Sequence, residues 1–280
     1  MKTENFFILL ICEICAICGR IVLLLRVSVV NPYIARFISI RNNTVKKLAR
    51  LAVALSALLG LAVASTLHAA EPTPLKAGDR IVFFGDSITG LGAREEHGYV
   101  KVMQAALNEK LPDLKVECLG AGQSGNKVPD LQKRVDKDVI KLKKPTIVFV
   151  YIGINDVWHG QKIPEKGTTP EAFEAGLKEV IGKLQAAGAR VILCTPSVIG
   201  EKKAGANPLD AKLDQFSDIS RGVAKEMNLQ LCDLRKAFVD YLAENNPNDK
   251  ETGILTRDKV HLKPDGNKLV AETMLKSLGL

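Results

Sequence analysis

From residue 79 onward the chain alternates between two kinds of apolar pattern. Short continuous runs rich in β-branched and aromatic residues, such as Ile81-Val82-Phe83-Phe84 and Ile147-Val148-Phe149-Val150-Tyr151, read as strands buried on both faces. Between them, apolar residues recur three and four positions apart, the spacing of a helix face. This pattern predicts strands near 80–84, 115–119, 146–152, 190–195 and 229–233, and helices near 98–110, 128–142, 170–187, 210–227, 234–244 and 265–277. Pro170 with Glu171 opens one of those helices and Gly188 closes it. Strands alternating with helices predict an α/β fold, a parallel sheet covered on both faces as a three-layer α/β/α sandwich. Right-handed crossovers favour the flavodoxin-like strand order 2-1-3-4-5. No repeat, long linker or shift of composition interrupts the pattern after residue 79, so one domain is expected over 71–280. The longest loops, 157–169 and 199–209, each follow a strand.

The pattern before residue 71 is of another kind. Val45-Lys46-Lys47-Leu48-Ala49-Arg50 is basic, 51–65 is apolar, and Leu67-His68-Ala69-Ala70 ends in small residues. That succession is the layout of a secretory signal peptide over 45–70, so export to the periplasm or the extracellular space is expected, with no stable membrane association after cleavage. The competing reading is an uncleaved membrane anchor, for which the apolar run is shorter than the ~20 residues a span needs. Residues 1–44 read as an upstream extension of the reading frame, or as a membrane-proximal leader with an apolar stretch at 6–25 interrupted by Glu13 and Arg20. Cys12, Cys15 and Cys18 fall in that apolar stretch without a fourth cysteine to complete a cluster, which argues against a metal site there.

Composition changes the picture mainly through this division. The whole chain carries 39 Lys and Arg against 31 Asp and Glu, a net +8, but residues 1–70 hold eight of the bases and two of the acids. What remains is close to neutral, so no nucleic-acid partner is implied. Lys141, Lys143 and Lys144 cluster at a predicted helix end, where cations suit the dipole. Past residue 70 the cysteines are Cys118, Cys194 and Cys232, each in or at the end of a strand-like run. An odd number in such settings predicts buried free thiols rather than a disulfide framework.

Candidate chemistry gathers at the strand ends. The first strand stops at Gly85 and delivers Asp86 and Ser87 to the C-terminal edge of the sheet, where open α/β folds place their sites. Ser87 is a candidate nucleophile, His261 the base to accept its proton, and Asp258, three residues before it, the acid that orients the imidazole. The tetrahedral oxyanion formed by attack on an ester needs donors, which the backbone N–H groups of Ser87 and Gly125 and the side-chain amide of Asn155 can supply. Asp86 and Asp156 read as hydrogen-bond acceptors of their loops, and His97 as a surface residue before a helix. Trp158 and His159 are candidate substrate-binding residues. No metal and no cofactor is called for, since nucleophile, base and orienting acid are all side chains.

These segments, taken in order, resemble the GDSL-type or SGNH hydrolase family. Gly85-Asp86-Ser87-Ile88 departs from Gly-Asp-Ser-Leu at its last position, Gly125 stands where the second block has its glycine, Gly153-Ile154-Asn155-Asp156 fits Gly-x-Asn-Asp, and Asp258-Lys259-Val260-His261 fits Asp-x-x-His. The resemblance runs from about residue 79 to the C-terminus and implies cofactor-free ester hydrolysis on a flavodoxin-like sandwich. It leaves the ester open, because the family includes carbohydrate esterases, lysophospholipases, thioesterases and short-chain acetate esterases. Export among glycans, the lack of sequence for a separate lid, and the polar and aromatic 157–169 loop favour a small acyl group, an O-acetyl on a carbohydrate. A lysophospholipase or alkyl-acetate esterase is the alternative within the fold. A different class stays open as well: Gly120-Ala121-Gly122-Gln123-Ser124-Gly125 matches Gly-x-Gly-x-x-Gly and could belong to a nucleotide-binding module, although it follows the second strand and lacks the acid expected about 20 residues on. A glycan-binding member without turnover is the remaining possibility.

Overall fold

The computed structural model describes residues 11–17, 20–26, 74–161 and 163–280. It divides into two compact units, residues 1–67 and 68–280. In the first, β1 (Ile11–Ile17) and β2 (Arg20–Arg26) pair antiparallel, Ile11 opposite Arg26 and Ile17 opposite Arg20. The signal segment expected at 45–70 lies outside the described residues. Among the described residues, no helix is long and apolar enough to cross a membrane.

The second unit is built on five parallel strands: β3 (Arg80–Gly85), β4 (Glu117–Gly122), β5 (Ile147–Tyr151), β6 (Arg190–Cys194) and β7 (Gln230–Cys232), in the spatial order β4-β3-β5-β6-β7. This is the 2-1-3-4-5 order that the alternating pattern predicts. The helices are α1 (Ser87–Arg94), α2 (Tyr99–Lys110), α3 (Val128–Arg134), α4 (Ile154–Trp158), α5 (Pro170–Ala186), α6 (Asp210–Glu226), α7 (Leu234–Asn245) and α8 (Pro264–Ser277). One packed set comprises α1, α2, α7 and α8, the other α3, α5 and α6, one set for each face of the sheet. Because both faces are covered, the central strands contain almost no polar residues. Ile81, Val82, Phe83 and Phe84 of β3 and Val148, Phe149 and Val150 of β5 are fully buried, each contributing roughly 1.5–3 kcal/mol of apolar burial. Phe83 stacks on Phe149 at 5.4 Å between ring centroids and meets Tyr99 edge-on at 5.6 Å.

Three local features depart from the expected elements. The helix predicted over 128–142 is α-helical only to Arg134 and continues as a π-helical stretch, Val135–Lys141. The second strand, expected at 115–119, runs from Glu117 to Gly122 instead. Its glycines are there for the close approach of α1: a Cβ on Gly120 would lie 2.3 Å from the Ala93 methyl, and one on Gly122 would lie 2.1 Å from the Gly90 nitrogen. The first two glycines of the Gly-x-Gly-x-x-Gly run are thereby explained by packing against a helix that precedes them in the chain, whereas a dinucleotide loop would open the helix that follows. Third, α1 itself was not anticipated. Two glycines and β-branched Ile88 and Thr89 argue against a helix by propensity, but Asp86 caps it by accepting from the Ile88 N–H at 2.9 Å. Its small face then docks on β4.

The start of the outer edge of β4 is met by one side chain. The Gln104 amide, from α2, donates to the Val116 carbonyl and accepts from the Cys118 N–H, both at 2.8 Å. Cys118, Cys194 and Cys232 are free thiols. Cys194 and Cys232 are buried opposite each other on β6 and β7, while Cys118 is half-buried rather than buried, since it sits on this edge strand. Burial and the neighbouring Glu117 push the Cys118 thiol up to about 12, which leaves it unreactive at neutral pH.

Candidate active site

Parallel register brings the strand ends level. Gly85 lies opposite both Gly122 and Tyr151, and Tyr151 opposite Cys194. Whatever follows these residues therefore emerges on one edge. Ser87 comes two residues after Gly85 as the first residue of α1, where its N–H has no intrahelical acceptor. Gly125 lies in the loop after β4 with φ +76°, a conformation that favours glycine. Asn155 is in the short helix α4 after β5.

The base arrives on a different segment. Before α8 the chain forms a small hairpin, closed by the Thr256–Leu262 bridge and by the Arg257 N–H donating to the His261 carbonyl at 2.9 Å. Its tip carries Asp258, Lys259 at φ +81° and His261. His261 Nε2 stands 2.9 Å from Ser87 Oγ, and His261 Nδ1 stands 2.7 Å from Asp258 Oδ2. The other Asp258 oxygen accepts from the backbone N–H of His261 at 2.8 Å and of Val260 at 3.2 Å. Partial burial pulls the Asp258 carboxyl upward, but the bonds from the His261 ring and these N–H groups outweigh it and hold the carboxyl below its ordinary range. The result is a carboxylate ready to orient an imidazole and a hydroxyl within proton-transfer distance of that imidazole.

Asn155 is buried, and its Nδ2 donates to the Asn126 carbonyl at 3.1 Å and contacts Asp86 Oδ2 at 3.4 Å. The first bond fixes the amide plane. The second is at the weak end of hydrogen bonding. Among the described residues, no backbone carbonyl takes up the N–H of Ser87 or of Gly125. The exposed ring of His159 borders Gly125, with Cε1 3.9 Å from where a Cβ would stand on that residue. Partial burial, then the cations of Lys127 and Lys166, hold this imidazole below its ordinary value. Trp158 is half-buried against the core, its ring 6.4 Å from that of His159. His97 is exposed just before α2.

Two buried carboxyls support the edge. Asp156 Oδ1 accepts from Thr168 Oγ1 at 2.6 Å and from the Val128 N–H at 3.1 Å, tying the loops after β4 and β5 together. Asp86 caps α1. Burial pushes Asp86 up to about 7, with Asp156 adding to the rise against the pull of the Ile88 N–H, and burial likewise pushes Asp156 up to about 6. In the unfolded chain Asp86 ionises near 3.8, so folding takes up a proton between pH 3.8 and about 7, and its burial becomes progressively more costly across that window. Asp86→Asn keeps an oxygen for the cap and removes the charge. Its stability relative to wild type is expected to improve from pH 4 to pH 7.5 by on the order of a few kcal/mol at most. Urea unfolding of both proteins at the two pH values measures it, and a difference that does not change with pH would refute the assignment.

Arg134 supports the site without any local motif to announce it. Arg134, at the end of α3, donates to the carbonyls of Gly85 at 2.7 Å and Ala121 at 2.9 Å and to Asn126 Oδ1 at 2.6 Å, with its guanidinium 4.5 Å from the centroid of the Phe84 ring. One side chain thereby ties together the ends of β3 and β4 and the loop that bears Gly125. Among the described residues, no group of three or more His, Cys, Asp and Glu is arranged to hold a metal ion. Two cavities lie away from Ser87, Asn155 and His261: one of about 70 Å³ beneath the 198–207 loop and an open groove of about 770 Å³ between α2 and α8.

Fold and site together define a hydrolase of carboxylic esters. The chain belongs to the GDSL-like Lipase/Acylhydrolase family, which it matches over residues 83–269. It is 32% identical over 216 residues to an acetylxylan esterase of Geobacillus stearothermophilus, an alignment covering 72% of this chain and 95% of that one. Crystal structures of that enzyme include catalytic mutants at a serine, an aspartate and a histidine, the last two three positions apart. A second acetyl xylan esterase, AlAXEase, superimposes with a TM-score of 0.68 at 43% identity, over 71% of this chain and 99% of that one. An uncharacterised lipoprotein of Bacillus subtilis, YqeF, is 25% identical over 69% of this chain and 86% of its own length.

Proposed function

We propose that this esterase removes O-acetyl groups from a carbohydrate, with xylan-type chains as the first substrate to test, through a covalent acetyl-Ser87 intermediate. The observation that carries the reading is the relay from Ser87 Oγ through the His261 ring to Asp258, at 2.9 and 2.7 Å. Ser87 Oγ adds to the acetyl carbonyl carbon while His261 Nε2 takes its proton. The oxyanion is held by the N–H groups of Ser87 and Gly125 and by Asn155 Nδ2. Collapse expels the sugar alkoxide, which takes the proton back from His261 as the alcohol leaves. Water, deprotonated by the same imidazole, then adds to acetyl-Ser87; collapse breaks the bond to Ser87 Oγ, which takes the proton back from His261, and acetate leaves. Asp258 keeps Nδ1 protonated and stabilises the imidazolium.

The substrate class is supported by the two relatives that are acetylxylan esterases. An exposed rim of Gly125, His159 and Asp258 also suits an acetyl group presented on a polymer better than a long acyl chain, which needs an enclosed apolar channel. His159 and Trp158 are the side chains proposed to meet the sugar. Export is proposed too, from the signal-like segment at 45–70 and the kinship to a lipoprotein.

One experiment tests both parts. Enzyme recovered from the exported fraction of its native cell should begin at Ala70 or Glu71. It should release acetate from acetylated xylan fragments and prefer C2 among p-nitrophenyl esters from C2 to C16. Preference for C8 or longer chains, or for lysophospholipids, with no acetate freed from any glycan, would reject the carbohydrate substrate and leave the esterase standing. An N-terminus at Met1 would reject export by cleavage.

A further inference from the structure

The loop after β6 carries a fully buried carboxylate that plays no part in the relay. Glu201 receives four donors, all from one short segment. Oε2 accepts from the Ile254 N–H at 2.8 Å, and Oε1 accepts from the Leu255 N–H at 2.8 Å, the Thr256 N–H and Thr256 Oγ1 at 2.7 Å. Every contact brings a hydrogen to the carboxyl, the role an ionised carboxylate fills and an amide or a protonated acid fills only in part. A buried carboxylate is tolerated only where donors replace its hydration, and such bonds are about twice as strong as neutral ones. Four of them at one spot form an anchor.

The anchored segment is the base of the catalytic hairpin. Thr256 is both a donor to Glu201 and one side of the bridge to Leu262 that closes the hairpin. The tip is gripped from the same loop, since the Gly200 N–H, adjacent to Glu201, donates to the Lys259 carbonyl between Asp258 and His261 at 2.9 Å. The backbone of Glu201 is itself fixed, its N–H on the Glu251 carbonyl at 3.0 Å and its carbonyl on Asn246 Nδ2 at 2.7 Å. Asp258, by contrast, bonds among the described residues only within the hairpin, to the ring and N–H of His261 and to the Val260 N–H. The Asp258–His261 pair is thus internally held, and what must be set from outside is its place relative to Ser87, on α1.

We propose that Glu201 is a positioning residue that sets the distance between His261 and Ser87 by clamping the base of the hairpin to the loop after β6. The inference rests on the esterase reading of Ser87 and His261. It predicts a particular signature. If the clamp is loosened, the hairpin moves as a unit. The Ser87–His261 contact lengthens while Asp258 still holds the imidazole, so proton transfer from Ser87 suffers and the Asp258–His261 bond does not.

The test compares wild type, Glu201→Gln and Thr256→Val, with Asp258→Asn as reference, all checked for folding by circular dichroism. Glu201→Gln keeps the shape but sets an NH₂ group against backbone N–H groups. Thr256→Val removes only the hydroxyl contact and preserves the backbone. Glu201→Gln should lower kcat about 10- to 100-fold, the scale of a roughly 1 Å misplacement, with KM within about twofold and fluorophosphonate labelling of Ser87 slowed in step. Thr256→Val should show a smaller loss of the same kind. In both, the midpoint of the acid limb of kcat/KM should stay at the wild-type pH, whereas Asp258→Asn moves it. A purely structural role would lower the melting temperature and leave kcat per titrated active site unchanged. A folded Glu201→Gln with wild-type kcat and labelling rate would overturn the proposal, and so would a shifted acid limb. Should Glu201→Gln fail to fold, a folded Thr256→Val at wild-type kcat would overturn it equally. Wild type that is neither labelled at Ser87 nor active on any ester would remove the esterase reading, and this inference with it. A labelled, active wild type with indifferent variants removes this inference alone.

Discussion

Ser87→Ala is expected to fold normally and to lose at least about 10⁴-fold in kcat. The hydroxyl is the only atom removed. It stands at the first position of α1, where the capping bond belongs to Asp86 rather than to Ser87, so the helix start and the docking of α1 on β4 persist. Without the oxygen no acyl-enzyme forms, and His261 has no proton to take. The residual rate comes from the oxyanion donors and from binding, which act on a water in the serine's place. Labelling by a fluorophosphonate should vanish together with turnover. Wild-type turnover by a homogeneous, folded Ser87→Ala protein would end the nucleophile assignment, whatever the substrate.

Asn155→Ala carries the next largest effect, a fall in kcat of about 10²- to 10³-fold, the usual cost of one oxyanion donor. KM should change much less, because the amide gains its partner's full charge only in the transition state. The bond from Nδ2 to the Asn126 carbonyl gives the substitution a structural cost as well, and the melting temperature records that separately. A variant with altered KM and intact kcat would turn Asn155 into a substrate-binding residue.

Burial on two faces makes the sheet legible in the sequence. A run such as Ile81-Val82-Phe83-Phe84 has no polar position to spare for solvent, so strand, layer and edge followed from it, and the residues after the strands followed from the edge. The glycine-rich β4 was harder. Leu119-Gly120-Ala121-Gly122 has the composition of a loop, and only the arrival of α1 at 2.1–2.3 Å from the missing side chains explains why a strand requires it. Each of these two elements was obscured by the residues that let it fit the other. The residues of the site divide along the same line. Ser87, Asn155, Asp258 and His261 lie in short local patterns at strand or loop ends, and the structure assembles them at one edge. Arg134 and Glu201 were invisible because each acts through partners far along the chain, Gly85 in one case and Ile254 to Thr256 in the other. A lone arginine on a helix and a lone glutamate in a loop carry no sign that they will be buried.

The pair of bonds from Gln104 to β4 has a consequence for molecules meeting one another. A strand at the border of a sheet offers its unpaired amides to any extended chain that drifts past, and that is how many β-proteins begin to polymerise. Here the side chain of Gln104 already occupies one N–H and one C=O at the start of that border, imitating the peptide group of a sixth strand, and the glycines that follow present little side-chain surface for a newcomer to grip. An intruding segment would have to evict an intramolecular partner to gain its first foothold. The border of the sheet is thereby shielded from pairing with a second chain at the point where such pairing would begin.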